Sequence, residues 1–296
     1  MDVIKVAIVF MGAFLGAGFV SGAEVARFFA GKSPFGIILI AIIFAAGFIV
    51  YSFSARLNDF DSPYTRVLIK IFSFFSLSAT FAVANETGKV LFGIPLAPLT
   101  ALAALALTSK QKFIKIGATA SVAFALTAAV LAAVGSEPAP GAAPVDAAAV
   151  GYAVMSAVVP SFAVSAEIKA MRPNKIILTA CVIAVLFTLT VFLFLSAIGE
   201  NGRLISDPGA IGAGFVISAI AVLSAGVTSG GAQLNAAADT FDRRLMTAAV
   251  ALALSCIGIK NILTFIYPLM AVSAAGIPAL STLFVTKKIL VKKRGN

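Results

Sequence analysis

Ten apolar runs, most of them close to twenty residues long, recur along the chain, each closed by a short polar or turn-forming break. That spacing constrains the fold more than any motif, because a helix crossing the hydrocarbon core of a bilayer needs about 20 apolar residues. The runs cover about 3–29, 35–53, 65–84, 90–107, 113–134, 147–168, 175–197, 211–237, 245–259 and 261–286. The breaks hold turn residues and charges, as in Gly31-Lys32-Ser33-Pro34, Ser109-Lys110-Gln111-Lys112 and Arg172-Pro173-Asn174-Lys175. Of the 296 residues 60% are hydrophobic and 11% charged, with a mean hydropathy of +1.07. A soluble domain carries about 25% charged residues, so little is left for one here. The expectation is an all-α integral membrane protein with ten transmembrane helices in one domain (1–296), ending in a basic tail at 287–296.

The cations orient those helices. With the N-terminus on the cytoplasmic side, seventeen of the 22 Lys and Arg fall inside and five outside. The outer five are Arg27, Lys32, Lys89, Arg203 and Lys260. Positive charge is retained on the cytoplasmic side of membranes, so both termini are expected there. The net charge of +10 then belongs to the membrane surface rather than to nucleic acid. The first run continues through Phe28 and Phe29, and reads as a span rather than a cleavable leader.

Chemistry is limited by what is missing. The chain has no His, which removes imidazole metal sites and Ser–His or Cys–His nucleophile pairs. Cys181 and Cys256 lie far apart in apolar runs and form no zinc signature. No resident cofactor and no enzymatic centre are expected.

The first span is the unusual one. Met11-Gly12-Ala13-Phe14-Leu15-Gly16-Ala17-Gly18-Phe19-Val20-Ser21-Gly22-Ala23-Glu24 places four glycines and a carboxylate at bilayer depth. Close helix packing would use Gly12 and Gly16, but it leaves Ser21-Gly22 and Glu24 without a purpose. A helix that unwinds near Gly16–Gly22 accounts for them, its freed carbonyls and amides serving ions and polar solutes. The sixth span echoes the pattern: Met155-Ser156-Ala157-Val158-Val159-Pro160-Ser161-Phe162-Ala163-Val164-Ser165-Ala166-Glu167. Pro160 removes a helical hydrogen bond. The two segments open two five-span halves, about 3–134 and 147–286, which an odd span count inverts relative to each other. Broken helices at matching places in inverted halves point to a transport site at the midplane. In the eighth span, Thr228 and Ser229 precede Gly230-Gly231. They either bond back to their own helix or join freed carbonyls in an oxygen site for a small hard cation.

Gly16-Ala17-Gly18-Phe19-Val20-Ser21-Gly22-Ala23-Glu24 resembles the GAGFxSGxE opening of the YkvI-type bacterial membrane proteins, in the amino acid–polyamine–organocation transporter superfamily with the LeuT fold. Glu86 through Phe92-Gly93-Ile94-Pro95 and Ile266-Tyr267-Pro268-Leu269 fit the same family. The resemblance implies five-plus-five inverted repeats with substrate held between spans one, three, six and eight. It also implies a sodium site with carbonyls at Gly12 and Leu15 and an Ala-x-x-Thr-Ser motif at Ala225, Thr228 and Ser229.

On these grounds the expected function is secondary active transport by alternating access. The cargo would be a small amino acid or related organic solute, with sodium as the coupling ion. Phe19, Ser21, Gly22, Ser161, Phe162 and Ser165 are the expected substrate contacts. Glu24, Glu86 and Glu167 are open to three roles: interfacial anchors pairing with Arg27, Lys89 or Lys169, proton-coupling carboxylates, or gate and substrate contacts. A proton-coupled transporter using Glu24 or Glu167, and a non-transporting accessory or sensor protein, remain the alternatives. Phe75 and Phe81 are further gate candidates.

Overall fold

The computed structural model describes residues 3–58, 63–133, 141–198, 214–274 and 276. The basic tail, Arg203 and the end of the tenth run lie outside them. Among the described residues the chain is all-helical, with an isolated parallel bridge between Lys32 and Ala143.

The first apolar run is three helices, α1 (Val3–Phe14), α2 (Ala17–Val20) and α3 (Ala23–Phe28). Then come α4 (Pro34–Asn58), α5 (Pro63–Phe92), α6 (Ala97–Leu107) and α7 (Gln111–Ala133). The sixth run is again three pieces, α8 (Ala147–Ser156), α9 (Val158–Ala163) and α10 (Ser165–Ala170). Beyond them lie α11 (Pro173–Ile198), α12 (Gly214–Ala237), α13 (Phe241–Ser255) and α14, which begins at Ile259–Asn261 and continues to Ala274 through a π-helical turn at Ile262–Ile266. Pro34, Pro63 and Pro173 each open a helix, where the missing N–H costs nothing. Asp146 caps α8 by accepting from Ala149 N at 2.8 Å.

Among the described residues three helices are long and apolar enough by themselves to cross a membrane: Pro34–Arg56, Arg66–Phe92 and Pro173–Ile198. A fourth span arises if α13 and α14, bent by 96° at their junction, count as one. Val3–Phe14, Ala97–Leu107 and Ala147–Ala163 are shorter apolar helices. The chain is therefore an all-helical membrane protein.

One boundary differs from the sequence expectation. Hydropathy ends the third run at 84 and begins the fourth at 90, yet α5 is helical without a break from Pro63 to Phe92. Glu86-Thr87-Gly88-Lys89 is polar but propagates a helix. The stop is Gly93, whose φ of 71° is in the left-handed region, with Pro95 just beyond. The fourth run is left with only 11 helical residues in α6.

The core is a column of buried rings on α1, α4 and α11. Phe44 and Phe187 lie 4.6 Å apart, Phe14 and Phe44 4.8 Å, and Phe10 and Phe48 5.0 Å. Lipid is as apolar as a leucine, so such faces associate through packing rather than escape from water. Aromatic pairs of this geometry contribute about 0.5–1.5 kcal/mol each. A second cluster joins α5, α6, α12 and α13 through small residues, with Ala97, Ala101, Ala104, Ala248 and Ala251 buried. There α12 lies close enough to α6 that a Cβ on Gly230 would meet Ala104 Cβ at 3.3 Å.

Candidate functional site

Both apolar runs expected to be broken are broken, the first and the sixth. At the first break Gly16 N donates to Phe14 O at 2.6 Å, not to Gly12 O as a continuous helix would require. Gly12 O thus loses its helical donor. The ladder resumes with Val20 N on Gly16 O at 3.0 Å. At the second break Ser21 Oγ donates to Gly18 O at 2.9 Å and accepts from Ala23 N at 3.3 Å. Gly22, at φ 84°, completes the turn. In the sixth run the pieces part at Ala157 and Val164, and the proline lies inside α9 rather than at a break.

The turn at Ser21–Gly22 sends Glu24 back beneath α2. Its carboxylate accepts from Tyr152 Oη at 2.5 Å and from Tyr267 Oη at 2.7 Å. Phe28, one turn further along α3, stacks on Tyr152 with ring centres 4.5 Å apart and lies parallel to Tyr267 at 6.0 Å. Gly18 provides the room: a Cβ there would stand 2.2 Å from Glu24 Oε1. Of the three roles open to Glu24, the anchor pairing with Arg27 is not the one seen, since the carboxylate turns inward onto two phenols. It faces a cavity of about 50 Å3 whose wall also carries Ser76, Thr80 and Gln233. Gln233 Nε2 donates to Ser76 Oγ at 2.7 Å, and Thr80 Oγ1 donates to Gln233 Oε1 at 3.2 Å.

A larger cavity, about 270 Å3, lies toward the opposite end of the broken helices. Gly12, Phe162, Ser165, Glu167, Thr228 and Ser229 line it. Ser229 Oγ is buried without a hydrogen-bond partner, and a Cβ on Gly16 would lie 3.8 Å from it. Thr228 Oγ1 instead donates back to Ser224 O at 2.9 Å and sits 3.3 Å from Ser121 Oγ. Ala225 and Leu15 are buried beside these groups, at 0% and 1% exposure.

The expected substrate contacts therefore divide. Phe162 and Ser165 reach the larger cavity. Ser161 is fully buried, its hydroxyl unpartnered. Ser21 and Gly22 build the turn and line neither cavity, while Phe19 packs edge-on against Phe14 and Phe194 at 4.9 and 5.2 Å. Glu86 serves a backbone amide, accepting from Ile259 N at 3.4 Å where α14 begins. Phe81 is buried in the second cluster and Phe75 packs on Phe74.

Tyr152, Tyr267, Ser76, Thr80 and Gln233 are the site residues that sequence reasoning passed over. Two signals pointed to them. The chain has only four Tyr, two of which meet at Glu24, and Gln233 is an uncharged amide in the interior of an apolar run. No protein-family model matches the chain, and no curated protein matches it either.

Proposed function

We propose that the chain is a secondary transporter with ten spans arranged as two inverted five-helix halves. It carries a small amino acid or related organic solute by alternating access, with sodium as the coupling ion. One observation carries this reading: two doubly interrupted helices, α1–α3 and α8–α10, pack together with cavities at their breaks. Irregular backbone at membrane depth is tolerated where it lines a cavity or is buried in protein, and paired broken helices are how transporters present backbone ligands. An accessory protein that merely retained the fold has no need of open space there, which favours transport.

Gly12 O without its helical donor and the unpartnered Ser229 Oγ are the oxygens the coupling ion would use first. Leu15 O, Ala225 O and Thr228 Oγ1 would complete the set. Sodium and solute then act by stabilising one of two states, the one they bind better.

The proton-coupled alternative draws on a different observation, the enclosed Glu24. Uptake of labelled amino acids into proteoliposomes, driven by a sodium gradient or a pH gradient alone, separates the two. Sodium-driven uptake that Ser229→Ala weakens is the expected result. Uptake driven only by the pH gradient would transfer the coupling role to a carboxylate, and no uptake under either gradient would remove the transport reading.

A further inference from the structure

The small cavity at Glu24 is built for one kind of ligand. Its wall contains a carboxylate but neither Lys nor Arg, and a buried charge left without a partner is among the most expensive features a structure can hold. The two phenols nearest the carboxylate are already committed to it. Both phenols donate to Glu24, Gln233 Nε2 to Ser76, and Thr80 Oγ1 to Gln233 Oε1. The wall still offers acceptor capacity, chiefly the second lone pair of each Glu24 oxygen, since a carboxylate accepts about four hydrogen bonds. A ligand that answers this wall brings positive charge and N–H donors.

The remaining lining limits the body that such a charge can be attached to. Phe14, Phe72, Met155, Val159 and Met270 close the cavity with carbon. A bare hard cation wants oxygen on all sides, which half of this lining does not supply. A zwitterion would bring its own carboxylate into the same small space as Glu24, with no Lys or Arg in the lining to receive it. The volume of about 50 Å3 holds a few water-sized groups, enough for an ammonium and two or three carbons.

We propose that the Glu24 cavity binds the ammonium group of a small primary amine, received by the carboxylate between Tyr152 and Tyr267 with the hydrocarbon end against Met155, Val159 and Met270. As a substrate site this rests on the transport reading above, whereas binding is measurable apart from transport.

The test is thermal unfolding of the full-length protein in detergent at pH 7 and fixed ionic strength. It is titrated with ethylamine, propionate, alanine and sodium in turn. Ethylamine, cationic at this pH, raises the Tm saturably, and propionate leaves it unchanged. Glu24→Gln abolishes the ethylamine shift. Tyr152→Phe, which keeps the ring and removes one bond orienting the carboxylate, weakens it roughly tenfold. Should Glu24→Gln fail to fold, Tyr152→Phe carries the same decision. A shift produced by alanine or propionate but not ethylamine would overturn the assignment. So would an ethylamine shift that survives Glu24→Gln, or a sodium shift that Glu24→Gln removes. Ethylamine binding in a protein that moves nothing across proteoliposomes supports the site and removes transport. Uptake of a solute with no ethylamine shift does the reverse.

Discussion

Gly18 and Glu24 occupy one space: a Cβ on Gly18 would lie 2.2 Å from Glu24 Oε1 and 2.9 Å from its carboxyl carbon. The missing side chain of one residue is therefore the pocket for the carboxylate of the other. Gly18→Ala pushes Glu24 off Tyr152 and Tyr267 without altering any charge. Overpacking of this kind costs about 1–3 kcal/mol. Thermal unfolding in detergent reads that loss, and Gly18→Ala at wild-type stability would show that the carboxylate has somewhere else to go.

Gly16 and Gly22 mark the two breaks of the first apolar run but differ in what they require. Gly22 has φ 84°, which a side chain tolerates at a cost of about 1–2 kcal/mol. Gly16 has φ −71° and ψ 173°, open to any residue, and a Cβ there would find its nearest atom at 3.8 Å. Gly22→Ala should destabilise by that amount, while Gly16→Ala stays within about 0.5 kcal/mol. Equal losses at both would mean that the first break is held by sterics rather than by hydrogen bonding.

Much of this was legible locally. Ser, Gly and the carboxylate at 21–24 announced a turn and a polar group at depth, and both are there because the cause lies within a few residues. The partners of Glu24 were not legible, since Tyr152 and Tyr267 stand 128 and 243 residues away. Arg27 is the nearest cation on helical spacing, but Gly22 rotates the carboxylate inward instead. The end of α5 was misplaced for a related reason. Polar residues at 86–89 look like a loop by hydropathy, yet only Gly93 and Pro95 stop the backbone.

Ser229 has a buried hydroxyl with no partner, next to the first break. Leaving such a group unsatisfied costs about 1–3 kcal/mol. Ser229→Ala should therefore match or exceed wild-type stability in potassium, and the proposed ion site predicts a sodium-specific stabilisation in wild type that Ser229→Ala lacks. Unfolding curves in the two salts measure both effects. A sodium shift of wild-type size in Ser229→Ala would move the ion elsewhere.

Two loops meet where Lys32 Nζ and Asp146 Oδ2 are 2.6 Å apart, beside Ser33 N on Ala143 O at 3.1 Å and Ala143 N on Gly31 O at 2.9 Å. The hydrogen bond from Lys32, and then that from Ala149 N, hold the Asp146 carboxyl below the usual carboxylate range. A lowered carboxyl stabilises the fold above its unfolded value near 3.9, and that contribution is lost as pH falls through the folded value. Asp146 is largely exposed, so the ion pair itself contributes about 0.2–1 kcal/mol and less at high salt. Asp146→Asn should lower stability modestly at pH 7, with the difference from wild type closing as the pH drops below about 4. A difference that persists at pH 2.5 would assign the effect to the cap on α8 rather than to the charge.

Alternating access is the central claim, and side-chain accessibility tests it most directly. Phe162 is partly exposed on the larger cavity. Phe162→Cys, placed in a chain carrying Cys181→Ser and Cys256→Ser, is labelled in proteoliposomes with a membrane-impermeant maleimide applied to one face at a time. Labelling from the N-terminal face that falls when sodium is present and returns when potassium replaces it is the predicted result. Labelling at one unchanged rate, from the same face in either salt, would contradict it.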